Sequence, residues 1–368
     1  MNRIDQPAFR PNYAVAPGET LLETLEAKGM TQSELAERLG RPKKTINHII
    51  KGKSAITAET ALQLEGVLGV PASFWNNLEA NYQESLARQK EEKALKSQLV
   101  WFKQFPVKAM HKLAWLAAFD DEIEQLRALL RFFGVVGEAE WKTLWGNPVA
   151  NYRKSETFAS NPFAIAAWLR QGEIKAELID CKPYDPDAFK QALKAIRVLT
   201  NEPPERFEPA VIKACAAAGV ALVFIPELPK THLYGATRWF GGKGIIQLSL
   251  RGKTDDHLWF TFFHEAAHII LHGKKELFIE AKGEGYDKQD AEEKEKEASE
   301  YAQKLLISPE EYARFIETGV FTDAAILHFA RHIGIAPGIV VGRLQHDAKI
   351  PFTWGNRLKK HFKFVEQE

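Results

Sequence analysis

Cysteine is almost missing from this chain. Cys181 and Cys215 are the only two in 368 residues, too few for a disulfide framework and in keeping with a reducing compartment. Long apolar runs are missing too: the longest, residues 214–226, falls short of the ~20 residues of a membrane span and contains Gly219. The opening MNRIDQPAFRPNY has no apolar signal core. Secretion and membrane insertion are therefore not expected, and the cytoplasm is the expected location. Neither sign of charge dominates, with 49 Lys plus Arg against 48 Asp plus Glu. The chain as a whole has no pull toward polyanions, so any nucleic-acid surface must be local.

What is present is ordinary core material. A 45% share of hydrophobic and 26% of charged residues argues against disorder, and the length exceeds what one core usually organises. Several domains are expected. From Gly18 to Gly40 the spacing predicts two helices, with Leu21, Leu22 and Leu25 and then Leu35, Ala36 and Leu39 at helical intervals. Thr31 followed by Glu34 is a capping-box pattern that starts the second. A third helix is predicted over Pro42–Ile50, a fourth from Thr57, and a fifth from Pro71 that runs on into a charged tail over 87–96.

Residues 99–200 read as a separate helical stretch rich in aromatics (Trp101, Trp115, Trp141, Trp145, Trp168), whose main use is burial. The Pro203-Pro204 pair marks the clearest internal boundary. Beyond it a helix over 208–218 leads into strand-like runs at 220–225, 235–240 and 244–250.

After those strands comes FTFFHEAAHIILHG, Phe260–Gly273. Residues four apart share a helix face, so His264 and His268 can offer two imidazoles to one ion, while Glu265, about 100° around, can reach a water beside it. Zinc (Zn2+) suits such a set: a catalytic site takes three protein ligands and leaves one position open. His272 cannot be the third, since it lies eight residues past His264, about 12 Å along the helix axis. Leu271 and Lys274 occupy the positions where a metzincin needs Gly and His. The next helix, over 290–308, offers several glutamates. Its apolar stripe runs through Ala298, Tyr301, Ala302, Leu305 and Leu306, and only Glu295 falls within about 60° of Ala298. An acid on that buried edge needs a compensating partner, and a divalent ion supplies one.

HEAAHIILH, with Glu295 following in EKEASEYAQKLLISP, resembles the ImmA/IrrE family of metallopeptidases over Phe207–Ala330. The resemblance implies a zincin-like α+β domain with zinc on His264, His268 and Glu295 and with Glu265 as general base. Ser299 and Tyr301 stand where that family usually has Asn and Phe. PGETLLETLEAKGMTQSELAERLG and GKSAITAETALQLEGVLGVPASFWNNLEANY are similar to HigA-type antitoxins of the Xre helix-turn-helix class, over Ala16–Leu86. That resemblance implies a five-helix DNA-binding domain that represses its own promoter as a homodimer on a two-fold operator.

A local basic patch supports this independently. Arg38, Arg41, Lys43, Lys44, Lys51 and Lys53 surround the third helix with no acid between Arg38 and Lys53. In helix-turn-helix docking, residues early in the second motif helix meet base edges. Lys43, Lys44 and Asn47 are the expected readers, with Thr45 or His48 touching base or backbone. Gln32, Lys51 and Lys53 are expected at phosphates, and Arg41 on the same face.

In the peptidase half an extended substrate would add to an exposed strand edge, for which 244–250 is the candidate. Tyr234, Tyr286 and Tyr312 are chemically able to donate to an oxyanion. His328 and His332 lack a third ligand and read as structural.

The sequence thus predicts a multidomain, predominantly α chain. A helix-turn-helix domain would occupy 1–93, a helical middle domain 94–205, a zincin-like peptidase domain 206–330 and a helical cap 331–368. The expected function is an antitoxin-type transcriptional regulator, with operator DNA as one partner. Its zinc endopeptidase would cleave a repressor or toxin. The alternative is a non-catalytic antitoxin that masks a toxin and in which zinc is structural.

Overall fold

A computed structural model describes residues 14–146, 160–272, 278–280 and 288–365. The chain folds as two compact units, Met1–Leu99 and Val100–Glu368. The first contains α1 (Pro17–Ala27), α2 (Gln32–Arg38), α3 (Lys43–Ile50), α4 (Ala58–Leu68) and α5 (Ala72–Ser97).

Sequence chemistry accounts for the boundaries of these helices. Thr31 accepts from the Glu34 amide at 3.2 Å and starts α2. Thr57 caps α4 through the Thr60 amide, and Gly69 closes it in the left-handed region at φ 70°. Leu21, Leu25, Leu35, Ile46, Leu64 and Trp75 fill the core. Leu62 and Phe74, apolar members of the same periodic runs, are exposed instead. Gly18 is required by close approach: a Cβ there would lie 2.2 Å from the Ile49 carbonyl oxygen, so α1 and α3 can touch only through glycine.

The second unit begins with α6 (Leu99–Phe102), α7 (Val107–Lys112), α8 (Glu122–Phe133) and α9 (Glu138–Trp141). It continues with α10 (Pro162–Glu177), α11 (Pro186–Val198) and α12 (Pro204–Ala217). Trp101, Trp141 and Trp168 are buried, as their aromatic burial value predicts. Then come β1 (Val220–Phe224), β2 (Gly235–Phe240), β3 (Lys243–Leu248), α13 (Asp255–Leu271), β4 (Phe278–Glu280), α14 (Lys288–Leu306), α15 (Pro309–Glu317), α16 (Asp323–Ile333) and α17 (Pro337–His346). One core takes Phe189 and Leu193 from α11, ahead of the proline pair, together with Phe262 of α13 and Val340 of α17. Pro203 and Pro204 therefore mark the turn between two helices of one core. Among the described residues no single helix is long and apolar enough to cross a membrane.

The strand order is β1-β3-β2-β4, with β1 parallel and β2 antiparallel to β3. This corrects one expectation. The run 244–250, proposed as a free edge for substrate, is an interior strand hydrogen-bonded on both sides, because the parallel β1–β3 pairing places β1 on its outer flank. Among the described residues the edges are β1 and β4.

The start of α13 is unusual. Asp255 is fully buried, and among the described residues its Oδ2 has no hydrogen-bond partner. Burial, and then the adjacent Asp256 charge, push its carboxyl up to about 6. Asp256 goes the other way: burial opposes its ionisation, but hydrogen bonds from His257, Lys359 and Thr254 hold it well below the usual carboxylate range. A folded-state value above the unfolded one favours the protonated form. The stability from Asp255 is thus full below about pH 4 and is lost as pH rises through about 6. Asp255→Asn should raise stability at pH 8 by on the order of 2 kcal/mol and give no gain at pH 4, as read from thermal melts at the two values.

Candidate metal centre and nucleic-acid interface

The apolar frame around the histidines explains their placement. Phe262, Phe263, Ala266 and Ala267 are buried, while Thr261 and Glu265 lie against Gly235 of β2 and Ile269 against Gly244 of β3, so His264 and His268, both 2% exposed, share the face toward α14. The approach to β2 depends on Gly235: a Cβ there would come within 2.8 Å of the Glu265 side chain. The same strand supplies Thr237, whose hydroxyl lies 2.6 Å from Glu265 Oε2 and 3.0 Å from the Glu265 carbonyl oxygen. The Glu265 carboxylate is thereby oriented within a fully buried setting.

Three donor atoms converge between α13 and α14. His264 Nε2 lies 3.1 Å from Glu295 Oε2 and 3.1 Å from His268 Nε2, and His268 Nε2 lies 3.5 Å from Glu295 Oε1. Donors held at about 2.0–2.1 Å around one tetrahedral ion would be about 3.3 Å apart, so the triangle has the dimensions of a metal site. His264, His268 and Glu295 form the metal-capable group found among the described residues.

Their protonation suits the same purpose. Burial pushes the His268 imidazole down to about 4 against the pull of Glu295. Burial also opposes ionisation of Glu295, but hydrogen bonds from His264 and His268 outweigh it and hold the carboxyl at about 2. At neutral pH His268 is a neutral imidazole and Glu295 an ionised carboxylate, the forms that coordinate metal.

Two further contacts brace the set, and both come from α14. Ser299 Oγ lies 3.3 Å from His264 Nδ1, the ring nitrogen that sets tautomer and orientation in a ligating histidine. His272 is not in the triangle; its Nε2 lies 3.2 Å from the Lys294 carbonyl oxygen, tying the end of α13 to the residue before Glu295. Ser299 could have been found from sequence, four residues past Glu295 on one helix face. Thr237 could not, because it reaches Glu265 across 28 residues of chain. Of the oxyanion candidates, Tyr312 donates to Asp347 at 2.7 Å and Tyr234 stacks on His257. Tyr286 lies outside the described residues.

In the first unit, Ile46 and Ile49 are buried and define the inner face of α3. Lys43, Lys44, Lys51 and Lys53 are exposed, while Gln32, Thr45, Asn47 and His48 are half-buried. Arg41 is committed elsewhere: its guanidinium donates to Gln63 at 2.7 Å and to Glu59 at 3.0 Å, both on α4. Arg38 pairs with Glu34 along α2 at 2.7 Å.

Residues 21–75 match the family described as Helix-turn-helix, and residues 215–345 match the IrrE N-terminal-like domain, a peptidase family. The chain belongs to the helix-turn-helix family through its first unit and carries an IrrE N-terminal-like domain in its second. Over 77 residues it is 36% identical to virulence-associated protein I of Dichelobacter nodosus, covering 21% of this chain and 71% of that protein. Over 66 residues it is 38% identical to antitoxin HigA-1 of Vibrio cholerae, covering 18% of this chain and 62% of that one.

Similar solved structures include a HigA-family addiction module antidote protein from Coxiella burnetii, at 34% identity and TM-score 0.22, covering 23% of this chain and 94% of that one. Another is the Pseudomonas aeruginosa antitoxin HigA with the higBA promoter, at 28% identity and TM-score 0.22, covering 23% of this chain and 95% of that one.

The triangle sets an expectation for metal content. Purified protein should hold one zinc per chain by elemental analysis, and His268→Ala or Glu295→Ala should lose it. Ser299→Ala should weaken binding by about 10-fold. Protons compete with the metal for the imidazoles and the carboxylate, so zinc should be released on acidification.

Proposed function

We propose that this chain is an antitoxin-type transcriptional regulator that binds operator DNA as a homodimer and carries a zinc-dependent endopeptidase acting on a regulatory protein or a partner toxin. The observation that carries the peptidase reading is the triangle of His264, His268 and Glu295, with a buried Glu265, oriented by Thr237, following His264 on the same helix. A purely structural metal site has no use for a base held in that position.

Zinc at this site would polarise the scissile carbonyl and lower the pKa of a water molecule. The chain's own residues do the rest. Glu265 takes the proton of the attacking water and delivers it to the leaving amine. Thr237 holds the carboxylate in the orientation that this transfer needs. Ser299 steadies the His264 ring, and His272 maintains the spacing of α13 and α14 through Lys294. With β3 interior, the edge on the side of Thr237 is β4, and an extended peptide would add there through its backbone.

On the DNA side, Lys43, Lys44 and Asn47 at the outer face of α3 would meet base edges. Thr45 or His48 would touch base or backbone, with Gln32, Lys51 and Lys53 at phosphates. Arg41 would serve by fixing α4 behind α2 and α3. One chain carrying both activities brings cleavage to the promoter.

Glu265→Gln should keep its zinc and its operator binding but slow protein cleavage by at least about 100-fold; cleavage that persists undiminished, followed by immunoblot in cells, would leave a structural metal site in an antitoxin. The double variant Lys43→Ala with Lys44→Ala should weaken binding to DNA from the chain's own promoter by about 10-fold or more at fixed salt. Its zinc content should not change. An unaltered gel shift would remove α3 from the DNA face.

A further inference from the structure

A cavity of ≈ 620 Å³ opens along the first half of α13, and the three triangle residues are not themselves among its lining. Its walls come from α13, α14, α17 and the segment that follows α17. Its link to the triangle runs through the back of the His264 ring. Ser299 lines the cavity and also reaches His264 Nδ1, while Phe260 lines it one helical turn before His264 and packs against that ring with centroids 6.0 Å apart. Its apolar walls are Phe260, Leu306, Ile307, Ile339 and Phe352.

Charge selects the class of guest. Two cations face the space, and each already has a carboxylate: Lys359 pairs with Asp256 at 2.6 Å and Arg343 with Asp347 at 2.7 Å. His257 is engaged by Thr254 and His346 by Asp347. An anionic guest would have to break one of these pairs, whereas a neutral apolar group gains from burial against five hydrophobic side chains.

We propose that this cavity is the specificity pocket of the peptidase, receiving a large apolar side chain of the substrate next to the scissile bond, and that residues after α17 build its outer wall. The assignment rests on the peptidase reading given above. The wall is held by a buried latch. Lys359 bonds Asp256 and Gln345 Oε1, and the Gln345 amide donates to the carbonyl oxygens of Phe352 and Trp354 at 3.2 and 2.8 Å. Backbone bonds pin the same segment to the start of α13, from Asp255 N to Lys360 O and from Phe362 N to Lys253 O. Phe352 is thereby kept at the pocket although most of its surface is exposed.

The test uses the full zinc-loaded chain and two peptide hydroxamates that differ only in carrying a benzyl or a methyl side chain beside the chelating group. Titration calorimetry should find the benzyl compound bound at least about 10-fold more tightly. Gln303→Trp, at a half-buried lining position, should fill the pocket and reduce that preference to about twofold or less. Phe352→Ala should reduce it by a smaller factor. Melting temperature and zinc content are measured for each variant. Equal binding of the two compounds by the wild type would overturn the pocket assignment. So would an undiminished preference in Gln303→Trp, or in Phe352→Ala if the first variant does not fold. If a protein that holds its zinc binds neither compound, the peptidase reading itself falls, and the pocket with it.

Discussion

A carboxylate buried between a helix and a sheet survives only where something bonds it, and Glu265 is such a carboxylate. The hydroxyl of Thr237 meets its side chain and its carbonyl together, and the missing side chain at Gly235 lets the helix come close enough for both bonds. The depth and rotation of α13 on the sheet follow from this contact. They decide in turn where His264 and His268 point and how near α14 must lie for Glu295 to meet them.

The second helix is then braced at two levels. His272 reaches the carbonyl of Lys294, and Ser299 reaches back to His264, so the carboxylate between them is located by both neighbouring turns. The opposite end of α13 is fixed by the Lys359–Asp256 pair, each partner under a tenth exposed. Removing either partner would leave an uncompensated buried charge, a costlier state than the pair was ever favourable. The chain after α17 is thus joined to the helix that carries the histidines.

The two units solve different problems with the same near-neutral composition. In the first, basic side chains crowd around α3, but not all remain available: Arg41 is used to hold α4, and Arg38 is matched by Glu34. The exposed lysines at 43, 44, 51 and 53 are what is left over. In the second, most ionisable groups near the triangle are paired internally, which leaves an apolar cavity beside a polar centre.

Features governed by neighbours along the chain were legible in the sequence. The four-residue spacing of His264 and His268, the cap at Thr31, the helices of the first unit and the choice of Glu295 from a stripe of apolar residues all depend on helical periodicity. That is a local property, and the five helices of the first unit lie where the pattern predicts them. What depends on pairing between distant segments was decided only by the tertiary structure. The run at 244–250 carries the pattern of a strand, yet nothing in it tells an edge from an interior position; the parallel partner β1 settles that. Thr237 looks like any strand threonine until the sheet sets it under Glu265. Arg41 reads as one more basic residue until α4 presents Gln63 and Glu59. The pocket wall at Phe352 exists because Lys359 reaches an aspartate 103 residues away. Local spacing fixes which face a side chain occupies, whereas its partner is fixed by which other faces the packed core brings against it.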